Sequence, residues 1–200
     1  MVSVVSICNL ALSNLGKDTI NSLSEASAEA RACNQFYEHT RDTLLQVYPW
    51  RFAGKTQSLA EVTNDKPGEW GYAYSRPIDC LKVRLVREEY SVLDALPQTK
   101  QQQISNPFEI DGTTIYCNLS PAFLRYTQTI TDTTKFPPLF VDAMSWALAV
   151  RLSMPLTRDM KQMANALKFA QLARGEAETA DANEERENSD HDSELVEVRE

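Results

Sequence analysis

The apolar positions of this 200-residue chain change their rhythm twice. Near the start, Val4, Ile7, Leu10 or Ala11, and Asn14 or Leu15 recur every three or four residues, the spacing of one face of an amphipathic helix, and Gly16 supplies a stop. After the loop "KDTINSLSE", the run from about Ser27 to Tyr48 places Cys33, Phe36 or Tyr37, Thr40, Leu44 and Val47 on one stripe. Glu29, Arg31, Glu38, Arg41 and Asp42 mostly face elsewhere. Pro49 ends this second helix, because its ring disfavours a helical Tyr48 and clashes with the preceding turn.

From Lys55 to about Thr134 the period shortens to two, and Gly, Pro and Thr become frequent. "NDKPGEW" reads as a turn, after which Trp70, Tyr72 and Tyr74 alternate along a strand. "SRPIDC" breaks it, and "LKVRLV" resumes with Leu81, Val83 and Leu85 on one side and Lys82 and Arg84 on the other. "FEIDGTTIYC" predicts a hairpin whose two-residue turn is Asp111-Gly112. A further strand is expected in "FLRYTQTIT", and "LDALPQTKQQQISNP" should be a polar surface loop.

Helix returns at "FPPLFVDAMSWALAVRLSMPLT". Pro138 is acceptable in the first turn, Leu139, Ala143, Trp146 or Ala147, and Val150 share a face, and Pro155 is expected to stop the helix. Thr157 then caps a last helix with Met160, Met163, Leu167, Phe169 or Ala170, and Ala173 as its stripe, running past Arg174. Helices from both ends of the chain close most simply into one unit. The expected fold is therefore α+β and mainly helical: an antiparallel helix bundle from residues 1–54 and 135–175, an inserted β-rich lobe at 55–134, and an extended acidic C-terminal arm at 176–200.

Composition narrows the function classes. With 42% apolar and 24% charged residues, the chain has the make-up of a globular protein, and no apolar run approaches the roughly 20 residues that a membrane helix needs. Ser3, Ser6, Asn9 and Ser13 interrupt the first apolar stretch, which reads as a folded helix rather than a leader. The net charge of -8 is uneven. Residues 176–200 hold eleven acids against Arg186 and Arg199, a net of -9, so the other 175 residues sum to +1. A basic surface for nucleic acid is thereby disfavoured for the chain as a whole.

Candidate chemistry is sparse. Cys8, Cys33, Cys80 and Cys117 stand 25, 47 and 37 residues apart with only His39 and His191 to join them, so buried, reduced thiols are expected, with no metal site and no cofactor. Phosphate-binding glycine loops, a nucleophile elbow and H-E-x-x-H are all missing. A Cys80–His39 pair, or carboxylates chosen among Asp65, Glu69, Asp79, Glu88 and Glu89, would be needed for catalysis, and neither has local support. What does stand out is aromatic: Tyr48, Trp50, Phe52, Trp70, Tyr72 and Tyr74. These rings are expected to fill the seam between lobe and helices, or to anchor a subunit interface.

The order of landmarks resembles the tail tubular protein A family, the head-to-tail adaptors of short-tailed bacteriophages. The likeness rests on "ICNLALSNLG", "INSLSEASAEARACNQFYEHTRDTLLQVYPWRFA" and "EWGYAYSRPIDCLKVRLV", which span roughly residues 5 to 86, with "PPLFVDAMSWALAVRLSMPL" as a later landmark. The resemblance implies a non-enzymatic virion protein, made in the host cytoplasm. It would form a ring of twelve identical subunits between the portal and the tail nozzle or tube, with genome DNA passing through the lumen and no membrane insertion. Trp50, Phe52, Trp70, Tyr72 and Tyr74 are the candidate joint or interface residues, and Leu195, Val196 and Val198 in "ELVEV" the apolar hook of a portal-binding arm. A tail-associated cell-wall hydrolase and a small cytoplasmic protein-interaction module are the alternatives.

Overall fold

In the computed structural model, residues 2–88 and 106–184 are described. Helix α1 (Val4–Asn14) opens with a reciprocal cap, in which the Ser3 and Ser6 side chains each accept from the other's backbone N–H. It closes with Gly16 at a φ of 64°, while the Lys17 N–H reaches the Leu12 carbonyl at 2.9 Å and the Gly16 N–H reaches that of Ser13 at 3.0 Å. Only glycine takes that left-handed position without strain. Asn9, one of the polar interruptions in this helix, holds the following loop through both the N–H and the carbonyl of Ile20.

Helix α2 (Ala28–Val47) starts at the Ser27 cap and ends one residue before Tyr48, whose backbone is already extended. Beyond Pro49, a 3-10 turn (Arg51–Ala53) leads into β1 (Gly54–Ser58). The other strands are β2 (Ala60–Val62), β3 (Tyr72–Ser75), β4 (Cys80–Arg87), β5 (Phe108–Asp111), β6 (Thr114–Cys117) and β7 (Phe123–Gln128). They make two antiparallel sheets, ordered β1-β7-β4 and β2-β3-β6-β5. The chain crosses from one sheet to the other at Leu59, whose N–H is held by the Ala122 carbonyl. Both sheets share a core that includes Tyr74, Val86, Ile115, Cys117, Leu124 and Tyr126.

Helix α3 (Pro138–Thr157) is the one on which α1, α2 and α4 (Met160–Glu184) all pack. An 18-residue stretch within its 20 residues has a mean hydropathy of 1.3, the length and composition that the sequence reading did not find, and half of that stretch is buried inside the protein. The mixed α+β class is as expected from the sequence. Its two cores are separate: one helical, with Trp50, Ile130 and Phe136 added, and one between the sheets.

Several local expectations are corrected. Asp111 pairs with Thr114, so the hairpin turn is Gly112-Thr113; glycine occupies the first central position with a φ of 56°, which suits a turn needing positive φ only there. Strand β4 does not alternate cleanly, because register shifts at Cys80/Lys82 and Val83/Leu85 allow Leu85 and Val86 both to be buried. Pro155 lies inside α3, which runs two residues further and ends at Arg158 in the left-handed region; so close to the end, the missing N–H removes one bond without ending the helix. Asp159, not Thr157, caps α4, its carboxylate taking the Lys161 N–H at 2.7 Å.

The faces of the last two helices also differ from expectation. Leu139 is exposed, and α3 is buried over a wide arc through Phe140, Met144, Leu148 and Leu152, because three helices surround it. On α4 the buried positions are Ala166, Ala173 and Ala177, while Met160 and Leu167 are exposed. The helix does not give way to an arm at 176: Ala177 is buried in the helical core and the Asp181 carboxylate accepts the Arg51 N–H at 3.2 Å, so α4 continues to Glu184. The rest of the expected arm, with Leu195, Val196 and Val198, lies outside the described residues, as does the loop of residues 93–107 up to residue 105.

Trp50 is 2% exposed and packs on Tyr48 and Phe140, with ring centroids at 4.9 and 5.0 Å. Its indole N–H also donates to the Leu44 carbonyl at 2.8 Å. Trp50→Ala should cost about 3–5 kcal/mol in a denaturant titration, and Trp50→Phe, which keeps a ring and drops the hydrogen bond, about 1 kcal/mol. Equal losses for the two variants would show that the hydrogen bond, not the packing, carries the effect.

Candidate functional site

The end of α2 concentrates the polar chemistry of the joint. The last carbonyls of any helix lack intrahelical donors, and here Pro49 removes the N–H that the Leu45 carbonyl would otherwise meet. The donors come from β4 instead. The Arg84 guanidinium reaches the carbonyls of Leu45, Gln46 and Tyr48 at 3.4, 3.1 and 2.8 Å, and its Nε donates to the Thr127 hydroxyl at 2.8 Å. Lys82 adds a bond to the Gln46 carbonyl at 3.3 Å. Cations at a helix C-terminus also meet the negative end of its dipole. Arg84 is half-buried, and burial lowers its pKa.

The aromatic series divides in two. Trp50 and Phe52 join Phe136 and Phe140 in one cluster, with Phe52 4.8 Å from Phe140 and 6.0 Å from Phe136, and this fills the seam where α3 begins. Tyr72 and Tyr74 lie 6.4 Å apart and belong to the core between the sheets, where the Tyr74 hydroxyl donates to the Leu119 carbonyl. Trp70 sits apart from both groups. Its indole N–H donates to Glu109 at 2.9 Å on the face of the β2-β3-β6-β5 sheet.

That Trp70 contact belongs to a charged cluster. Lys66 bonds Glu109 at 2.7 Å, approaches Asp111 at 3.2 Å and lies 4.7 Å from the centre of the Tyr116 ring, while the Tyr116 hydroxyl donates to Asp65 at 2.5 Å. The "NDKPGEW" turn is thus tied across the sheet. The Lys66 ammonium and then the Trp70 indole hold Glu109 below the usual carboxylate range, and the Tyr116 hydroxyl does the same for Asp65. On the other sheet, burial acts to raise Asp79, but hydrogen bonds from Lys55 and Tyr126 outweigh it and lower its pKa.

The candidate catalytic groups are not brought together. Asp65 and Asp79 are each taken by a tyrosine hydroxyl on different sheets, and Glu89 lies outside the described residues. The Cys80 thiol is buried, which raises its pKa, and among the described residues no hydrogen bond joins it to His39. All four cysteines are buried and free, and among the described residues no three His, Cys, Asp or Glu side chains gather as metal ligands would.

Of the concavities in the helical layer, one is bounded by three helices. α2, α3 and α4 line a groove of about 360 Å³ whose surface is mostly apolar, with Leu44, Val47, Ala147 and Leu167 among its walls and Arg151 and Arg174 at its rim. Val47 and Leu167 are 46% and 45% exposed, so this apolar surface is open to water. Sequence reasoning placed both residues on core stripes. Phe136, Phe140 and Arg84 were not singled out; Phe136 lies in extended backbone before α3, so no helical spacing marks its contact with Phe140. No protein-family model matches the chain, and no curated protein matches it either.

Arg84→Met keeps the length of the side chain and removes the donors, which should cost about 2–3 kcal/mol in a denaturant titration because the end of α2 then loses its partners. Arg84→Lys should recover less than half of that loss, since one ammonium cannot span three carbonyls. Full recovery by Lys would mean that charge alone matters.

The lowered carboxylates set an acid limb. Groups whose folded pKa is below the unfolded value stabilise the fold above an ordinary carboxylate pKa of about 4, and that contribution is lost as pH falls through the folded values. Stability measured between about pH 5 and pH 2 should therefore drop, and Glu109→Gln should shallow the drop. An unchanged slope in Glu109→Gln would remove this pair from the acid response.

Proposed function

We propose that this chain is a structural head-to-tail adaptor of a bacteriophage virion. In this reading, copies form a ring between the portal and the tail nozzle or tube, and the genome crosses the lumen without sequence-specific contacts. The observation that carries the proposal is the ordered set of sequence landmarks, from the helix ending Leu15-Gly16 through the Pro-Trp-x-Phe-Ala joint to the "PPLFVDAMSWALAVRLSMPL" helix. Two features of the molecule support it. Among the described residues, Arg84, Lys82 and Trp50 tie the helices and lobe into one arrangement, and the helical part offers exposed apolar helix faces to neighbours. The helical elements are read as an antiparallel bundle with the β lobe inserted between α2 and α3.

A ring built from one chain needs two different, mutually complementary faces on each subunit. The outer side of α4 around Leu172, which is 62% exposed, and the open side of α1 around Leu10, which is 47% exposed, are suited to be such faces. Light scattering or native mass measurement of the purified chain, alone and with a portal protein, tests this. A closed ring of identical copies is expected, at the latest once portal is present. A monomer under both conditions would favour the interaction module, and turnover of peptidoglycan abolished by replacing one carboxylate would establish the hydrolase instead.

A further inference from the structure

The groove between α2, α3 and α4 has an unusual combination of properties. Its walls are aliphatic and open to water at Val47 and Leu167, and its rim is basic. Arg174 meets Glu178 at 3.2 Å, whereas Arg151 has no ion pair among the described residues. The groove therefore suits a ligand with a few aliphatic side chains and acidic neighbours. A groove of about 360 Å³ takes the side chains of a short segment.

The chain carries such a segment further along its sequence. Residues 185–200 hold seven acids against two arginines, and their longest apolar run is Leu195 and Val196, followed by Val198, with Glu194 and Glu197 alternating among them. α4, which lines the groove with Leu167 and Arg174, ends at Glu184. Along the helix, Leu167 is 17 residues back from Glu184, about 26 Å at 1.5 Å per residue. Leu195 lies eleven positions after Glu184, enough to span up to about 36 Å. The hook can thus reach the groove of its own chain.

We infer that the groove is the docking site of the chain's own C-terminal segment, with Leu195, Val196 and Val198 entering between α2 and α4 and Glu194 and Glu197 facing the rim arginines. A tether of this length places the segment at an effective concentration of order millimolar, so weak intrinsic affinity is sufficient for occupancy. The docking is a property of the single chain and does not depend on the adaptor reading. If that reading holds, the groove stores the hook until the portal takes it. The charged part of the contact is exposed and weakens with salt, while the aliphatic part does not.

Cysteine pairing in the full-length protein tests this. The four native thiols are buried, and the same variants with Val196 retained give the background from them. Val47→Cys combined with Val196→Cys should form a disulfide within one chain at least about tenfold faster than Ile78→Cys combined with Val196→Cys, because Ile78 is fully exposed on a loop of the β lobe. Adding Arg151→Glu, or replacing Leu195 and Val198 with Ser, should bring the fast pair down toward the reference. Equal rates for the two pairs would overturn the proposal. So would a fast bond that joins two chains on a non-reducing gel, which would make a second copy the occupant.

Discussion

The whole arrangement depends on how the C-terminus of α2 is satisfied. A proline two residues past the helix denies a donor to the Leu45 carbonyl, and the chain turns away at once. A buried carbonyl without a partner costs about 1–3 kcal/mol, so several such groups cannot be left at the junction of two layers. Their donors come from the far side of the joint: Arg84 and Lys82 from β4, and the Trp50 indole from the turn itself. The helix is therefore completed only when the lobe is docked. Burial of the guanidinium works against its charge, and the cost is offset by the carbonyls and the Thr127 hydroxyl it satisfies.

From that tie the aromatic seam follows. Arg84 fixes where the chain leaves α2, which places Trp50 and Phe52 against the first turn of α3, where Phe136 and Phe140 meet them. α3 then has its start pinned by rings and its length covered by α1, α2 and α4. Because α2 and α4 both take α3 as their support, the space between them is left as a groove rather than filled by a further helix. The open apolar surface at Val47 and Leu167 is a geometrical result of three helices sharing one central helix.

The sequence displays local rules well and shared ones poorly. Helices α1 and α2, their glycine and proline endings, the β-rich segment and the buried thiols were legible because each depends on neighbours within a few residues. The hairpin was placed but its turn was shifted by one, since "DGT" permits either register and only pairing along β5 and β6 decides. The alternation sets Arg84 opposite Leu81, Val83 and Leu85 on its strand, but it cannot reveal that this side of the β1-β7-β4 sheet meets a helix end. Likewise the aromatic series read as one group, whereas Tyr72 and Tyr74 point into the sheet core and Trp50 and Phe52 into the helical one. Lys66 and Glu109, 43 positions apart in sequence, carry no local mark of their pairing.

The misread stripe of α4 has its own physical cause. Its buried positions are alanines, Ala166, Ala173 and Ala177, and small side chains let two helices approach closely. Larger residues cannot enter a seam that narrow. They are displaced to its flanks, where Phe169 stacks on Trp146 at 4.8 Å, Leu167 turns to the groove, and Leu172 stays open to water. A hydrophobicity pattern weights large apolar residues most, so it sets Met160 and Leu167 on the core stripe beside Ala173, which is buried, and passes over Ala166 and Ala177. The same inversion means that α4 presents its larger apolar side chains outward on two sides. A helix seated by alanine keeps its bulkier apolar groups for whatever packs next to it, and this makes α4 the element of the fold best suited to meet another surface.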